Sequence, residues 1–402
     1  MNRELILEEE KVLRISKGDF DESAAQTLHL VHGKRVDVEF PSWLNEYCYT
    51  LRSRGHVGHI PISNDIMLIM RPKIDIDNLF RMLEYAYNLR SFDFLEGKTK
   101  VNSLDDLFDR LASILAKLVL DRVRRGLYRS YVEEEELLPN LRGRVRVKPS
   151  VLAFMRGSAN LQCEYEEQTT NVDDNRILAW TLYLLPRFSI KREDVRCQVR
   201  QAYRALAGTT EIRPVDASDC VHRIYHRLND DYRRLHGLCR FFLENRGPSI
   251  KIGEYDFIPF VVNMSSLFQS FVAEWMKANL PDLRLETQYH VPLGESGTGE
   301  FIIDFLLREK VSGRVIAVMD TKYKRPQRPD EGDIQQVVAY AVSMNTKNAF
   351  LIYPSAATEV IRIGLPAIMP SVFVRSLVFD IERPIEEAGH SFIKGLKEAL
   401  LC

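Results

Sequence analysis

The segment that decides the fold is GEFIIDFLLREKVSGRVIAVMDTKYKRP, residues 299–326. Two apolar runs flank a charged turn that contains glycine, which is the pattern of a β-hairpin. The first run carries Asp304, and the second ends in Asp320, Thr321 and Lys322. Residues two apart on a strand point to the same face, so Asp320 and Lys322 project together and Thr321 points away. The hairpin predicts that Asp304 lies beside Asp320.

Two converging carboxylates repel each other unless a cation lies between them. Mg²⁺ suits such a site because it takes oxygen ligands and keeps several waters, and Mn²⁺ is a possible substitute. We predict Asp304 and Asp320 as metal ligands, with the backbone carbonyl of Thr321 as a further one. Lys322 would orient the attacking water or stabilise the charged transition state. This chemistry is that of metal-assisted phosphodiester hydrolysis.

The segment DEGDIQQVVAYAVSM, residues 330–344, predicts a helix that precedes the strand AFLIYP. Gln336 and Tyr340 are four residues apart and share a helix face, so both are candidates to hold a phosphate or a water at the same site. A lone D-x-K occurs often by chance. The ordered set of strand, turn, strand and helix is far more specific, and the competing interpretation is surface charge at strand ends.

The remaining pattern predicts an α+β protein in three parts. Residues 1–75 alternate as short strands and form a β-rich module, and residues 76–250 are mostly helical with a β-ribbon near 124–147. Residues 251–402 read as an α/β domain. In the ribbon, Arg142 and Arg144 alternate with small or apolar residues, and a solvated edge of opposite charges is the equally open alternative.

Composition limits the function classes. The 402 residues are 45% hydrophobic and 28% charged, without an apolar run of membrane-spanning length or the apolar core of a signal peptide. Six scattered cysteines without a CxxC pair favour reduced thiols in a cytoplasm. The net charge of −1, from 55 basic and 56 acidic residues, indicates weak autonomous affinity for DNA and help from a partner.

The motifs resemble known nucleases. Asp304 with Asp320-Thr321-Lys322 resembles the PD-(D/E)xK superfamily, and the Gln336–Tyr340 element resembles a feature of several of its branches. That resemblance implies that residues 251–402 form a PD-(D/E)xK endonuclease domain with a central mixed sheet flanked by helices. Five further segments together resemble the McrC family, the endonuclease subunits of McrBC modification-dependent restriction systems: RGLYRSY, LPNLRGRVRV, NVDDNRIL, MSSLFQSFVAEWM and VMDTKYK. That resemblance implies a subunit that cuts modified double-stranded DNA, lacks a nucleotide-binding motif, and docks on a hexameric McrB-like AAA+ GTPase whose hydrolysis it stimulates.

Three questions stay open at the level of sequence. Many superfamily members carry a glutamate on the helix before the first strand, whereas this chain has Gln269, with Glu274 five residues on. Arg142 and Arg144 are guesses for the residues that stimulate the partner GTPase. The alternative functions are a stand-alone nuclease in repair or phage defence, and a non-catalytic adaptor that keeps the nuclease fold.

Overall fold

The computed structural model describes residues 3–63, 65–89, 103–188, 190–248, 250–252, 255–293, 299–324, 330–355, 362–365 and 371–401. These form a mixed α+β protein with several sheets. Within these ranges, no helix has the length and apolar character needed to cross a membrane. The chain divides into two compact units, one of Met1–Leu107 with Asn245–Cys402 and one of Phe108–Glu244. These boundaries differ from the three predicted ranges, and a partner-binding role for residues 76–250 and a nuclease role for residues 251–402 stay predictions.

The N-terminal part of the first unit is mostly strands, as predicted, but it also contains a helix. Its elements are β1 (Arg3–Glu8), β2 (Val12–Ser16), α1 (Glu22–His32), β3 (Val36–Glu39), β4 (Cys48–Ser53), β5 (His56–Pro61), β6 (Ile66–Arg71) and α2 (Ile76–Ala86). Helix α1 buries Ala24, Ala25 and Leu28 on one face. The strand-based interpretation missed this helix because its flanking runs alternate so clearly.

Two sheets form in this part, and one of them includes a strand from much later in the chain. Strands β2, β4 and β3 make an antiparallel sheet, and β1, β6, β5 and β12 (Phe260–Asn263) make a four-stranded one. Gly58 makes the β5–β12 pairing possible, because its φ is +140° and a Cβ there would lie 2.1 Å from the carbonyl oxygen of Phe260. The N-terminal strands therefore share a sheet with the segment that leads into the C-terminal region.

The second unit combines helices with a three-stranded sheet. Its elements are α3 (Leu104–Arg125, which begins in the first unit), β7 (Ser130–Leu138), β8 (Arg144–Val145), α4 (Val147–Met155), β9 (Leu161–Thr169), α5 (Asp173–Leu184), α6 (Glu193–Ala207) and α7 (Tyr232–Glu244). We call residues 130–169 the arm. The predicted ribbon is corrected in one respect: the long partner of β7 is β9, and the RGRVRV segment contributes only the short β8 on the other side of β9.

One buried amide anchors both ends of the arm. The Nδ2 atom of Asn175 donates to the carbonyl oxygen of Tyr128, 2.9 Å away and just before β7, and to that of Thr170, 2.7 Å away and just after β9. The Tyr232 hydroxyl donates to Asn175 Oδ1 at 2.5 Å and accepts from the Tyr128 backbone N–H at 3.0 Å. Asn175 and Tyr232 are fully buried, so these hydrogen bonds are made in a low-dielectric interior.

The C-terminal part of the first unit is built around a six-stranded mixed sheet. Its elements are β10 (Ile250–Ile252), β11 (Tyr255–Phe257), α8 (Met264–Asn279), β13 (Leu283–Leu293), β14 (Gly299–Glu309), β15 (Val315–Thr321), α9 (Glu331–Ser343), β16 (Asn348–Tyr353), β17 (Arg362–Leu365), β18 (Val372–Val378) and α10 (Ile385–Leu401). The sheet order is β13-β14-β15-β16-β18-β17. Strands β13, β14 and β15 are antiparallel, whereas β15, β16 and β18 are parallel.

Apolar side chains cover both faces of this sheet. On one face, Val337 and Tyr340 of α9 join a buried cluster with Ala349 and Leu351 of β16. The alternate residue Phe350 is also fully buried. Buried apolar residues at consecutive positions are typical of strands covered on both faces. The sheet thereby gives the ends of β14 and β15 a rigid support.

Candidate active site

The predicted hairpin places Asp304 and Asp320 side by side. Strands β14 and β15 are antiparallel with Phe305 opposite Met319, and the two aspartates are the next residues outward on their strands. Asp320 is 3% exposed, and Asp304 is half-buried. The sequence prediction of convergence is therefore met by the geometry.

Thr321 has a more specific position than the sequence predicted. Its backbone N–H and its hydroxyl both donate to Asp304 Oδ2, at 2.9 and 2.8 Å. The expectation that the Thr321 side chain points away from the site is therefore wrong, because its hydroxyl reaches the carboxylate on the neighbouring strand. These two hydrogen bonds fix the orientation of Asp304.

Tyr323 does point to other surroundings. Its ring packs on Phe268 of α8, with centroids 5.8 Å apart, and its hydroxyl lies 3.5 Å from Glu9 Oε2. The Lys73 ammonium lies 4.4 Å from the centre of the same ring. The residue after the D-x-K element thus contacts the N-terminal part of the first unit.

Lys322 is at the centre of a polar network that joins the predicted site residues. Its Nζ lies 2.8 Å from Asp320 Oδ2 and donates to Gln336 Oε1 at 2.8 Å. Gln336 Nε2 in turn donates to the Tyr340 hydroxyl at 2.6 Å. The structure therefore brings Asp320, Lys322, Gln336 and Tyr340 together, with the two helical residues oriented toward the lysine.

Asp333 is a site residue that the sequence interpretation missed. Its Oδ1 lies 3.5 Å from Lys322 Nζ, and its Oδ2 lies 2.5 Å from Lys324 Nζ. It is 9% exposed on α9, one turn before Gln336. The spacing i, i+3 to Gln336 was the signal that could have identified it.

Burial and neighbouring charge perturb the titration of the site. Burial, and then the negative charge of Asp304, raise the pKa of Asp320 to about 6, although Lys322 opposes this rise. Burial also disfavours the charge on Lys322, but contact with Asp320 and the charges of Asp333 and Asp304 outweigh it, so the pKa of Lys322 is raised. Lys322 therefore remains an ammonium at neutral pH.

The donor set of Asp304 and Asp320 fits a hard divalent cation. Asp320 Oδ2 is buried and lies 2.8 Å from the Lys322 ammonium. A buried carboxylate oxygen with unused lone pairs next to a second carboxylate favours a cation. Across the described ranges, no group of three or more His, Cys, Asp or Glu side chains is placed to hold a metal. Mg²⁺ tolerates such a sparse protein shell because it retains waters.

Helix α8 carries Gln269 and Glu274, the two residues considered from the sequence for completing the metal shell. Glu274 pairs with Lys277 of the same helix at 2.7 Å. The Nε2 atom of Gln269 is buried and makes no hydrogen bond within the described residues. Glu274 thus has a local partner, whereas Gln269 carries a buried donor.

The arm presents its two predicted arginines differently. Strands β7 and β9 place acids directly opposite each other, as in the pair Glu135 and Glu164, which is unfavourable without compensation. Arg146 compensates by binding Glu164 at 3.1 Å. Arg142 stacks 3.7 Å from the Tyr165 ring centre and pairs with Glu167 at 3.3 Å. Arg144 is exposed and, within the described part of the chain, has neither an ion pair nor a side-chain hydrogen bond.

Gly143 lies between Arg142 and Arg144 and lets the backbone pass close to β9. Its φ is +65°, and a Cβ there would lie 2.3 Å from the carbonyl oxygen of Glu164. Only glycine lets the chain pass this close to β9. The R-G-R order therefore separates one engaged arginine from one exposed arginine.

Comparison with known proteins gives three findings. A family model described as McrBC 5-methylcytosine restriction system component matches residues 51–354. The Type IV methyl-directed restriction enzyme EcoKMcrBC of Escherichia coli (strain K12) is 23% identical over 316 residues, covering 72% of this chain and 88% of that protein. A chain of the refined half-complex from the tetradecameric assembly of Thermococcus gammatolerans McrB AAA+ hexamers with bound McrC matches with a TM-score of 0.55 and 18% identity, covering 98% of this chain and 100% of that chain. At this identity, the structural match shows a likeness of fold.

Proposed function

The chain belongs to the family of McrBC 5-methylcytosine restriction system components, and we propose that within such a system it is the subunit that cleaves DNA. The family match confirms the resemblance drawn from the motifs. The substrate would be modified double-stranded DNA, and the C-terminal sheet with its helices would be a PD-(D/E)xK nuclease domain. The free thiols of the five described cysteines agree with a cytoplasmic location.

The observation that carries the proposal is the arrangement of Asp304, Asp320 and Lys322 at one end of a rigid hairpin. Asp304 is oriented by Thr321, and Asp320 is buried beside it with a raised pKa. Functional sites are where burial and like charges are arranged to perturb pKa values. A purely structural ion pair would not need the second carboxylate.

The two aspartates and the Thr321 carbonyl would hold Mg²⁺, or Mn²⁺ in its place. When bound, the ion would polarise the scissile phosphate and lower the pKa of a water. The chain's own contribution is positioning. Lys322, kept as an ammonium by the neighbouring carboxylates and positioned by Gln336, donates a hydrogen bond to the attacking water or to the negative charge that develops on the phosphate. Tyr340 fixes the Gln336 amide and so acts on Lys322 indirectly.

The arm would be the surface that meets a motor partner. Helix α4, at the far end of the arm, exposes large apolar side chains. Phe154 and Met155 are 76% and 78% exposed, and Ser150 is the one buried residue of this helix. Exposed apolar groups of this kind mark interaction sites. The structurally similar complex contains McrB AAA+ hexamers with bound McrC. We therefore propose a McrB-like AAA+ GTPase as the partner and Arg144 as the residue that stimulates its GTPase.

A methylated plasmid with Mg²⁺, the partner and GTP tests the proposal. The unaltered chain should cut only with the partner, and Asp320→Ala should lose cutting while GTPase stimulation is kept. Asp282→Ala, an exposed acid in the turn between α8 and β13, is the matched control and should cut normally. Cutting by Asp320→Ala would refute the site.

The same assay separates the rival functions. Efficient cutting by the chain alone would favour a stand-alone nuclease. Stimulation of GTP hydrolysis without any cutting by the unaltered chain would favour a non-catalytic adaptor, for which Gln269 in place of an acid is the only motivating feature.

A further inference from the structure

Gln288 has an unusual backbone conformation beside the site. Seven described non-glycine residues have positive φ, and six of them lie in turns or bends. Gln288, with φ of +50°, lies in the middle of the eleven-residue strand β13. For a residue with a side chain, this region costs energy that an extended strand does not need.

The strained residue faces Asp304. The pairs Thr287–Phe305 and Tyr289–Ile303 are kept on both sides, and the pairing lapses only between them, where Gln288 is opposite Asp304. The strand therefore departs from regular geometry at one position and recovers at once. A single local departure of this kind re-aims one side chain.

That side chain reaches the carboxylate that the proposed reaction uses. Gln288 Nε2 lies 3.4 Å from Asp304 Oδ1, while Thr321 holds Asp304 Oδ2. The Gln288 side chain itself is exposed, so burial does not explain the strain. The Gln288 amide and Thr321 together contact both oxygens of Asp304 from opposite sides.

We propose that Gln288 is a positioning residue for Asp304, held in a left-handed backbone conformation so that its amide orients the carboxylate toward the cation site. The inference rests on the proposed nuclease function. One carboxylate oxygen offers two lone pairs, so Oδ1 accepts the weak hydrogen bond from Gln288 and still has a lone pair for a cation. Partners that orient metal-ligating carboxylates typically change metal affinity 10- to 100-fold when removed.

The test compares Gln288→Gly with Thr287→Gly, a neighbour on β13 with ordinary backbone geometry. Glycine adopts positive φ without strain, so Gln288→Gly should unfold at a temperature equal to or above that of the unaltered chain. Thr287→Gly should unfold at a lower temperature because it loses strand propensity. Equal destabilisation by both would overturn the strain argument.

Calorimetric titration of the full chain with Mn²⁺ alone measures the positioning role. Gln288→Gly should bind Mn²⁺ about 10-fold more weakly, and Thr287→Gly should bind it like the unaltered chain. Unchanged Mn²⁺ affinity in Gln288→Gly would overturn the inference. With the partner, Gln288→Gly should lower kcat for plasmid cutting and leave KM unchanged. If the unaltered complex does not cut, the proposed function fails, whereas the titration and the unfolding data still decide the role of Gln288.

Discussion

The candidate active site and the arm both contain a carboxamide hydrogen-bonded to a tyrosine hydroxyl, but the two regions treat their charged groups differently. In each, a carboxamide bonded to a tyrosine hydroxyl holds a key group: Gln336 with Tyr340 holds Lys322, and Asn175 with Tyr232 holds both ends of the arm. The active site directs its charged groups inward and pairs them. The arm keeps apolar residues exposed, and its Arg144 is exposed without an ion pair among the residues that the structure describes.

The two regions show different physical signs of catalysis and of partner binding. Buried, coupled charges with perturbed pKa values indicate chemistry. Exposed apolar residues next to a charge without an ion pair in the described residues indicate a surface that binds a partner, because apolar side chains left in water do not stabilise the unbound protein. A substitution in one region should therefore leave the function of the other region intact.

The largest effect should come from Lys322→Met. Loss of a preorganised donor at a developing charge typically lowers the rate constant about 100- to 1,000-fold. Plasmid cleavage by the complex should fall by that factor, while partner GTPase stimulation is retained. Lys324→Met is the matched control, since Lys324 is half-exposed and its ammonium pairs with Asp330 and Asp333 rather than with Asp320 in the described residues. Its effect should be a few-fold, and equal losses in both variants would contradict the role of Lys322.

The next largest effect should come from Arg144→Ala, which alters the arm and leaves the candidate active site unchanged. We expect partner GTPase stimulation to fall about 10-fold or more, since an arginine at a transferring phosphate can be worth more than that. The Mn²⁺ affinity of the chain should not change. Arg142→Ala removes an arginine that is engaged with Tyr165 and Glu167, and it should affect stimulation less. A larger loss in Arg142→Ala would reverse the assignment.

Asn175→Ala should destabilise the second unit by about 2–4 kcal/mol, because it removes the acceptor of the buried Tyr232 hydroxyl and the donor to two part-buried carbonyls. Denaturant unfolding measures the change. GTPase stimulation should fall at temperatures well below unfolding, because the arm loses its anchor at both ends. Thr170→Ala is the control, since its hydroxyl bonds only to the Thr209 carbonyl and the anchoring carbonyl remains. Normal stimulation by a folded Asn175→Ala would show that the anchor does not matter.

The smallest effect concerns the pH dependence of stability. The folded-state pKa of Asp320 is about 6, above its ordinary value of 3.8. The native chain therefore binds more protons within this window, and stability falls as pH rises through it. In EDTA, Asp320→Asn should be more stable than the unaltered chain at pH 7.5 by about 1–3 kcal/mol, and the advantage should shrink toward pH 4. An advantage that is independent of pH would exclude titration of Asp320 as the cause.

The hairpin, the helix that follows it and the proximity of Asp304 to Asp320 were predictable from the amino-acid sequence. These follow from local rules, since alternation fixes which residues share a strand face and helical spacing fixes which share a helix face. The family resemblance followed from the same short motifs. The charged, glycine-containing turn between the two apolar runs was enough to predict that β14 and β15 pair as a hairpin.

Other features of the molecule depend on contacts between residues that are distant in sequence. The pairing of β7 with β9 was not predictable from the sequence, because pairing across an intervening helix is not encoded in local periodicity. Asp333 and the second function of Thr321 depend on how α9 and β14 pack against β15. The strain at Gln288 has no sequence signal, since a glutamine adopts positive φ only when surrounding strands impose it. Contacts between residues distant in sequence determined which polar groups face the site, and no local pattern contains that information.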